Sequence, residues 1–350
     1  MSLEKKKSFR DIVSERFLKA LEENPKEWKK GWEYSSTGRP FNIATNSLYS
    51  GVNLFWLKQQ ELDKGYNDPR WATFKQIQDN GWKLQKGSKG EKVEYWMPID
   101  RKEGRSLSWN EYKNIEDKDE RLDDNSERYI ICCKIFTVFN ASQIEGAGEF
   151  ELKQIHNNVS PDIIIEKIST GMNVLIEEFP NSRRAYYSLN EDKIHMPLHT
   201  QFKNDYAYSS TALHELGHST GHRSRLNRKL DNFFGTESYA FEELVAEITS
   251  CFMSEYVESP MTEDFMKNHE AYVQSWANEI RNNKNYLFKA ITEADKASNY
   301  MIKKGELEKI KQVDTASSKT LDENTHKMQN IKESKLYKLN TKQKDLGEEI

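Results

Sequence analysis

Apolar residues recur with helical spacing at the start of the chain and through most of its second half. The first pattern predicts an amphipathic helix within residues 5–33, with an apolar face formed by Phe9, Ile12, Val13, Phe17, Leu18 and Leu21. A serine followed by a proline predicts another helix that begins at Ser160 and ends at Gly171. Similar patterns predict four more helices, at about 205–221, 239–256, 261–282 and 284–303.

Runs of β-branched and aromatic residues predict strands in both halves. In the first half, strands are predicted at about 91–98 and 128–139, after a short helix at about 71–80. In the second half, three short strands are predicted ahead of the helix at 205–221, at 173–179, 184–189 and 193–196. This mixture predicts an α+β fold whose first half is an α/β domain.

Two changes in composition divide the chain. The glycine-containing stretch Glu145–Gly148 indicates a linker, so we expect one domain at 1–145 and a second at 150–305. Residues 101–128 have few aliphatic side chains and a dense acidic end, which predicts a long exposed insertion between two strands. Residues 306–350 are polar and poor in large apolar side chains, which predicts a mobile tail.

Composition and charge restrict where the protein works. The 350 residues are 31% charged and 36% hydrophobic, and no apolar run approaches the length of a membrane span. The first residues lack the apolar core of a secretory signal, and the three cysteines do not form a disulfide framework. We therefore expect a cytoplasmic protein with no membrane partner. The net charge of -4 excludes a uniformly basic protein, although residues 1–100 contain 18 Lys and Arg against 14 Asp and Glu.

The strongest chemical signal is a His-Glu-x-x-His motif at residues 214–218. His214 and His218 are four positions apart, so on a helix they project from one face and can bind one metal ion. Glu215 lies beside them and is the expected catalytic base, able to take a proton from a water that attacks a carbonyl. The motif therefore predicts a Zn²⁺ cofactor and a hydrolytic reaction.

A catalytic zinc needs a third protein ligand, and the sequence offers three candidates. His222 lies too far along an intact helix, and Ser224 stands where a longer motif would place a third histidine. A later helix remains, because its Glu243 and Glu247 share one face. We predict Glu243 as the ligand and Glu247 as the residue that orients a ligand histidine, with Glu242 or exchanged roles as alternatives.

Two alternatives to a catalytic zinc site stay open. The His-Glu-x-x-His string can occur in a helix by chance, and a bound zinc can serve structure alone. The strand at 192–197 precedes the metal helix, and we expect it to be an edge strand that pairs with an extended peptide substrate. Five nearby side chains are candidate transition-state donors, although a core or surface position is the simpler expectation for each: His195, His199, Tyr206, Tyr208 and Tyr239.

Aromatic residues and lysines are interleaved in the first domain. Seven of the eight tryptophans lie in the first 110 residues, and a basic turn with three glycines spans residues 81–90. Aromatic rings beside lysines suit single-stranded nucleic acid, because bases stack on the rings while ammonium groups follow the phosphates. The alternative is that the tryptophans form the core and the lysines lie on a solvated face.

These motifs, taken in order, resemble the ArdC-type antirestriction family over about residues 8–305. In the first half the resemblance rests on Pro40–Asn42, Tyr49–Asn53, Trp71–Gln76, Gly81–Gly87 and Val138–Asn140. In the second half it rests on Ala185–Tyr187, Asp192–Ile194, His214–His218, Thr220–His222, Arg225–Leu226 and Glu242–Glu247. The resemblance implies an N-terminal domain that binds single-stranded DNA and a C-terminal zincin-like metallopeptidase domain, on a protein carried by plasmids and conjugative elements.

The resemblance favours DNA binding by the first domain, with single strands as the expected partner and duplex DNA as a second candidate. We predict that the contacts to DNA are made by Asn53, Trp56, Trp71, Lys75, Trp82, Lys83, Lys86 and Lys89. The expected function is protection of incoming single-stranded DNA from restriction, by coating it, by cleaving an unidentified protein or peptide, or by both. Two alternatives are a DNA-binding protection protein with a structural zinc, and a metallopeptidase that serves conjugation or a toxin–antitoxin circuit.

Overall fold

A computed structural model of the chain describes residues 7–23, 38–117, 128–150, 160–230, 236–257, 270–283 and 285–308. Helices and strands both occur in these ranges, which confirms the predicted α+β class. Among the helices within these ranges, none is at once long and apolar enough to cross a bilayer.

A five-stranded sheet forms the centre of the first half. In spatial order its strands are β1 (Phe41–Asn42), β2 (Arg70–Thr73), β6 (Tyr129–Asn140), β4 (Glu91–Asp100) and β5 (Arg105–Ser106). β1 and β2 are parallel, and the other neighbouring strands are antiparallel. A separate two-stranded ladder pairs β3 (Lys83–Leu84) with β7 (Ile144–Glu145). The β4–β6 pair runs from Glu91 opposite Val138 to Asp100 opposite Tyr129, so it is the longest ladder of the sheet.

Different helices cover the two faces of this sheet. α2 (Gly51–Lys64) covers one face, where Trp71 is fully buried and its indole N–H donates to Glu61 at 3.0 Å. α3 (Phe74–Asp79) covers the other face and contributes to a small core that includes Ala72. The helix predicted from about residue 71 therefore begins later. Residues 70–73 form a strand, in which the adjacent side chains of Trp71 and Ala72 are buried on opposite faces of the sheet. Thr73 then caps the helix that follows.

The exposed segment after β4 has more regular structure than its composition predicts. β5 pairs with the end of β4, and α4 (Trp109–Asp117) follows it. Leu107 is buried between them, and the base of the segment is closed by a salt bridge of 2.7 Å between Arg128 and Asp100. Most side chains at 101–115 are exposed, as predicted, and residues 118–127 lie outside the described ranges.

The second half packs a three-stranded sheet against helices. α5 (Pro161–Met172) is followed by β8 (Leu175–Phe179), β9 (Tyr186–Ser188) and β10 (Lys193–Pro197), and the sheet order is β8-β10-β9. β10 is therefore the central strand, parallel to β8 and antiparallel to β9. The prediction of an edge strand at 192–197 is wrong, because both sides of β10 are already hydrogen-bonded.

Four helices complete the second half: α6 (Asp205–Ser219), α7 (Glu237–Met253), α8 (Glu270–Asn282) and α9 (Asn285–Lys304). One hydrophobic core lies between α5, β10, α6 and the end of α9. A second core joins α1 (Phe9–Glu23), α2 and the first sheet to α7, α8 and α9. The second core therefore crosses the predicted boundary between the domains.

Two ends in the second half differ from the prediction. α5 continues past Gly171 to Met172, and Asn173 ends the helix in the left-handed conformation with φ 55°. The predicted tail was expected to begin at residue 306, but Leu307 is fully buried in the core with α5. The remainder of that tail, 309–350, lies outside the described residues.

Candidate metal centre and nucleic-acid surface

α6 and α7 pack closely enough for their polar side chains to meet. Asn204 begins α6 by accepting the backbone N–H of Ala207 at 2.9 Å, and Thr236 begins α7 in the same way. The backbone of Gly217 faces α7, because a Cβ built there would lie 3.4 Å from both Ala246 and Thr249. This contact brings the His-Glu-x-x-His motif against the acidic face of α7.

Three side chains of the metal-binding type converge between these helices. One ligand atom from each of His214, His218 and Glu243 lies within 4.8 Å of the others. The two Nε2 atoms are 3.1 Å apart, and oxygens of Glu243 lie 3.5 Å from that of His214 and 3.6 Å from that of His218. Two imidazoles and one carboxylate are a donor set that suits Zn²⁺ in hydrolytic sites. The donors present in this cluster therefore fit a divalent metal ion.

Each histidine of the cluster has a second carboxylate on the far side of its ring. Nδ1 of His214 lies 3.5 Å from Glu247, and Nδ1 of His218 lies 3.3 Å from Glu242. A carboxylate at Nδ1 orients the imidazole so that Nε2 can bind a metal. Arg228 in turn donates to both oxygens of Glu242, at 3.0 and 2.6 Å. From the sequence, Glu242 was only an alternative to Glu243 and Glu247, and Arg228 had no signal, because no spacing rule links that arginine to the motif.

Glu215, the predicted base, is buried beside the cluster. Burial raises the pKa of Glu215 to about 7, Glu243 adds to the increase, and His218 opposes it. The backbone N–H of Tyr187 in β9 donates to the Glu215 carboxylate. A carboxyl group held in place with a near-neutral pKa suits proton transfer.

The buried charges of the cluster act on one another. Burial alone would lower the pKa of His218, but the hydrogen bond with Glu242 and the charge of Glu243 raise it to about 9. Burial alone would raise the pKa of Glu243, but the hydrogen bond with His214 and the charge of His218 hold it well below its ordinary value. Opposite charges therefore stabilise this arrangement before any metal is considered.

Of the five candidate transition-state donors, Tyr239 is the one that contacts the cluster, through a hydrogen bond to Glu243. His195 is stacked between two aromatic rings on the opposite face of the sheet, because its neighbours in β10 are fully buried toward α6. His222 and Ser224 lie beyond the end of α6 and hydrogen-bond each other at 2.7 Å. The remaining three candidates pack in or beside the core: His199, Tyr206 and Tyr208.

Three of the residues predicted to contact DNA are occupied inside the fold. Trp71 is fully buried, and Trp56 is nearly so, with its indole N–H donating to Glu91 at 3.1 Å. Asn53 accepts the backbone N–H of Glu94 at 2.8 Å and donates to its carbonyl at 2.7 Å, which completes the free edge of β4. The core alternative therefore describes the two tryptophans, whereas the half-buried Asn53 is engaged by the backbone of β4.

The predicted lysines lie at the surface, around the turn between β3 and β4. Lys83, Lys86 and Lys89 are exposed and form no ion pair with any residue that the structure describes. Lys75 is 83% exposed and pairs with Asp79 at 3.0 Å. Trp82 is half-buried, and its ring packs against the backbone at Gly146, where a Cβ would lie 3.1 Å away. The basic surface predicted from the sequence therefore exists, but its tryptophan is partly covered.

Exposed aromatic rings occur on the neighbouring β4–β6 pair instead. The rings of Tyr95 and Phe136 are 54% and 42% exposed, with centroids 6.0 Å apart. Lys134 lies directly across from Tyr95, and it too is exposed. These residues are not among the DNA contacts predicted from the sequence, although the alternation along the two strands could have placed them on one face.

Comparisons with known proteins agree with this architecture. The family model for the N-terminal domain of anti-restriction factor ArdC matches residues 7–139, and that for a zincin-like metallopeptidase matches residues 165–293. The metal-free crystal structure of the antirestriction ArdC protein from the R388 plasmid matches with a TM-score of 0.65 and 29% identity, over 85% of this chain and 97% of that one. The chain belongs to the ArdC type. The Mn(II)-bound structure of the R388 protein matches this ArdC-type chain with the same TM-score and 28% identity, over 85% and 98% of the two chains.

Two curated relatives of this ArdC-type chain are much longer proteins. A DNA primase TraC of Escherichia coli is 34% identical over 309 residues, which are 85% of this chain and 27% of the primase. A second TraC is 33% identical over 321 residues, 86% of this chain and 20% of the primase. The uncharacterized protein y4eC of Sinorhizobium fredii is 25% identical over 291 residues, 83% of this chain and 90% of that protein. The chain thus spans about a quarter, or less, of the primases that it matches.

Proposed function

We propose that this ArdC-type protein binds single-stranded DNA through its first half and cleaves a peptide bond with a metal centre in its second half. Its role would be to protect incoming DNA of a mobile element from restriction. The observation that carries the peptidase part is the convergence of His214, His218 and Glu243, with Glu215 buried beside them. The similarity to the antirestriction ArdC protein of the R388 plasmid supports the antirestriction role.

His214, His218 and Glu243 would hold the ion, which when bound supplies Lewis acidity toward a peptide carbonyl. We propose Zn²⁺ because two imidazoles and a carboxylate are its usual protein donors in hydrolytic sites. Mn²⁺ is the competing candidate, because the R388 relative has been crystallised with Mn(II).

The protein's own groups would handle the proton and the substrate. Glu215 would take a proton from the attacking water and deliver it to the leaving nitrogen, while the Tyr187 backbone N–H keeps its carboxylate in place. β9 is an edge of the second sheet and contacts Glu215 through Tyr187, so an extended peptide paired with β9 would lie beside the cluster. Pairing with a peptide substrate was predicted for β10 from the sequence, and we propose β9 for it instead.

The peptidase part is tested by comparing metal content with cleavage of a peptide library. Wild-type protein is expected to hold one ion per chain, and Glu243→Gln is expected to lose it. Glu215→Gln should keep the ion and lose about 10²-fold or more in cleavage rate, because it removes only the proton acceptor. Glu177→Gln, on the exposed edge of the sheet, is the matched control. Equal cleavage by wild type and Glu215→Gln would refute the peptidase proposal.

The DNA part is supported by three surface lysines that form no ion pair within the described ranges, and by exposed aromatic rings on the β4–β6 pair. Lys83, Lys86 and Lys89 would follow the phosphates, and Tyr95 with Phe136 would stack on bases. We propose single strands as the partner because rings that stand on an exposed sheet can reach unpaired bases, whereas duplex DNA hides them. Binding of labelled single-stranded and duplex oligonucleotides, measured side by side, distinguishes the two.

A salt series tests the lysine contacts. Replacing Lys83, Lys86 and Lys89 together by alanine should reduce the slope of log K against log salt by about 2, because each phosphate contact on a single strand contributes about 0.7. The control replaces Lys167, Lys289 and Lys303, which are also exposed but lie on α5 and α9. Equal slopes for the two triple variants would place the DNA elsewhere.

Protection itself can be measured by transferring unmodified plasmid DNA into a restricting host. If Glu215→Gln protects as well as wild type while the lysine variant does not, coating of the DNA is sufficient and the metal serves structure. If both variants fail, cleavage is required as well. We also propose a cytoplasmic location, because Cys132, Cys133 and Cys251 form no disulfide with one another, as expected in a reducing compartment.

A further inference from the structure

We propose that Arg228 is a positioning residue of the metal centre, which acts through Glu242 on His218 and thereby sets the affinity for the metal ion. The inference rests on the metal site of the proposed function. It concerns a residue outside the motif and outside the three candidate ligands.

Arg228 is held by four hydrogen bonds that lie around His218. Its side chain is only 6% exposed, and Nε and Nη2 donate to the two oxygens of Glu242 at 3.0 and 2.6 Å. Nη1 donates to the hydroxyl of Thr220 at 2.7 Å, and Nη2 donates to the carbonyl of Gly217 at 2.9 Å. Gly217 and Thr220 flank His218 along the chain. The guanidinium therefore ties a carboxylate of α7 to the turn of α6 that carries this histidine.

The same carboxylate oxygen contacts both the arginine and the histidine. Oε1 of Glu242 lies 2.6 Å from Nη2 of Arg228 and 3.3 Å from Nδ1 of His218. An ionised carboxylate only accepts hydrogen bonds, so Nδ1 must donate and the lone pair of a neutral ring is left on Nε2. That Nε2 is the atom that lies 3.6 Å from Glu243 and 3.1 Å from His214. Arg228 thus fixes which nitrogen of His218 is presented to the metal.

The planar shape of the guanidinium is essential to this arrangement. Arg228 binds both oxygens of Glu242, the carbonyl of Gly217 in α6 and the hydroxyl of Thr220 just after α6, which requires several N–H groups in fixed directions. A lysine ammonium supplies the charge but cannot fork onto a carboxylate in this way. We therefore expect Arg228→Lys to recover only part of what Arg228→Met loses.

Arg225 offers a matched control three residues earlier. Its side chain is 3% exposed, and it bonds Asp192, the hydroxyl of Tyr187 and the backbone carbonyl of Ser219 at 2.6 Å. It is therefore as buried and as extensively bonded as Arg228. These contacts include neither His214, His218 and Glu243 nor the carboxylate partners of the two histidines, Glu242 and Glu247.

The test measures zinc affinity of the full chain by competition with a chromophoric chelator, and stability of the metal-free protein by urea unfolding. Arg228→Met is expected to weaken zinc binding by about 10- to 100-fold, as is usual when a partner of a ligand histidine is lost. Arg228→Lys should fall between this variant and wild type. Arg225→Met should lower the stability of the metal-free protein and leave zinc affinity unchanged.

A double-mutant cycle tests the path through Glu242. Because Arg228 acts through this carboxylate, Arg228→Met should cause little further loss of affinity in a Glu242→Gln background. Folded Arg228→Met with wild-type zinc affinity would overturn the inference, as would equal losses in the Arg225 and Arg228 variants. If Arg228→Met does not fold, wild-type affinity in both Arg228→Lys and Glu242→Gln overturns it equally. Wild-type protein that binds neither zinc nor manganese would instead refute the proposed metal site.

Discussion

Two glycines in the second half lie at helix contacts, and one of them limits how closely the two helices can approach. At Gly217 in α6, an added Cβ would meet α7 at an ordinary contact distance of 3.4 Å. At Gly171 in α5, an added Cβ would overlap the backbone carbonyl of Lys304 at the end of α9. A backbone carbonyl cannot move aside as a flexible side chain can. Gly171 therefore sets how closely α5 and α9 approach. From the sequence alone, this glycine was predicted only to end a helix.

We predict that Gly171→Ala destabilises the protein by about 1–3 kcal/mol, because overpacking outweighs the gain in helix propensity. Propensity by itself would favour alanine by about 0.5–1 kcal/mol, so the sign of the change is diagnostic. Thr170→Ala, on the exposed side of the same turn, should alter stability by no more than about 0.5 kcal/mol. Urea unfolding of both variants checks this, and a stabilised Gly171→Ala would contradict the packing.

Individual elements of the first half are joined by polar side chains as well as by their apolar faces. Asn53 at the start of α2 bonds the backbone of Glu94 at the edge of β4, where a further strand would otherwise pair. Arg10 of α1 donates to both carboxylate oxygens of Glu94, at 2.7 and 2.9 Å. Glu94 is therefore bonded to α2 through its backbone and to α1 through its side chain.

The Arg10–Glu94 pair makes the stability of the first half depend on pH. Burial alone would raise the pKa of Glu94, but the Arg10 guanidinium and the Trp96 indole N–H lower it below its ordinary value of 4.5. A lowered pKa contributes stability that is present above 4.5 and is lost as the pH falls through the folded-state pKa. We predict that Glu94→Gln costs about 1–3 kcal/mol at pH 7, and that its stability falls less steeply than wild type below pH 4.5.

Urea unfolding at several pH values measures this difference. Glu15→Gln is the control. The side chains of Lys7 and Glu15 are 62% and 53% exposed, so this surface ion pair should contribute little to stability. If the stability of wild type and that of Glu94→Gln fall equally steeply below pH 4.5, the Arg10–Glu94 pair does not cause the pH dependence.

The elements that depend on local pattern were predictable, and those that depend on distant pairing were not. Helical spacing predicted α6 and α7, a serine and a proline predicted the start of α5, and the i, i+4 rule selected His214 with His218 and Glu243 with Glu247. The order of strands in a sheet is set by contacts remote in sequence, so the central position of β10 had no local signal. For the same reason Trp71 was indistinguishable from an exposed ring until its place beneath α2 was known.

At the scale of the whole molecule, the two halves share a core. Trp56 and Trp71 of the first half belong to the same hydrophobic cluster as Leu244, Trp276 and Leu287 of the second. A polar contact reinforces it, because the backbone N–H of Gly51 donates to Asp295 of α9 at 2.9 Å. Separating the halves would expose this apolar surface to water, which favours joint unfolding.

The shared core predicts that a metal bound in the second half stabilises the first. Tryptophan fluorescence mainly reports the first half, which holds seven of the eight tryptophans, whereas helical circular dichroism weights the second. Zinc at about 100 times its Kd should stabilise the folded chain by about 2.7 kcal/mol. Because unfolding is joint, both signals should shift to the same higher midpoint, and in Glu243→Gln neither should shift. A zinc-dependent shift seen by circular dichroism but absent from fluorescence would mean that the halves unfold independently. The core between them would then contribute too little to couple the metal to the proposed DNA-binding surface.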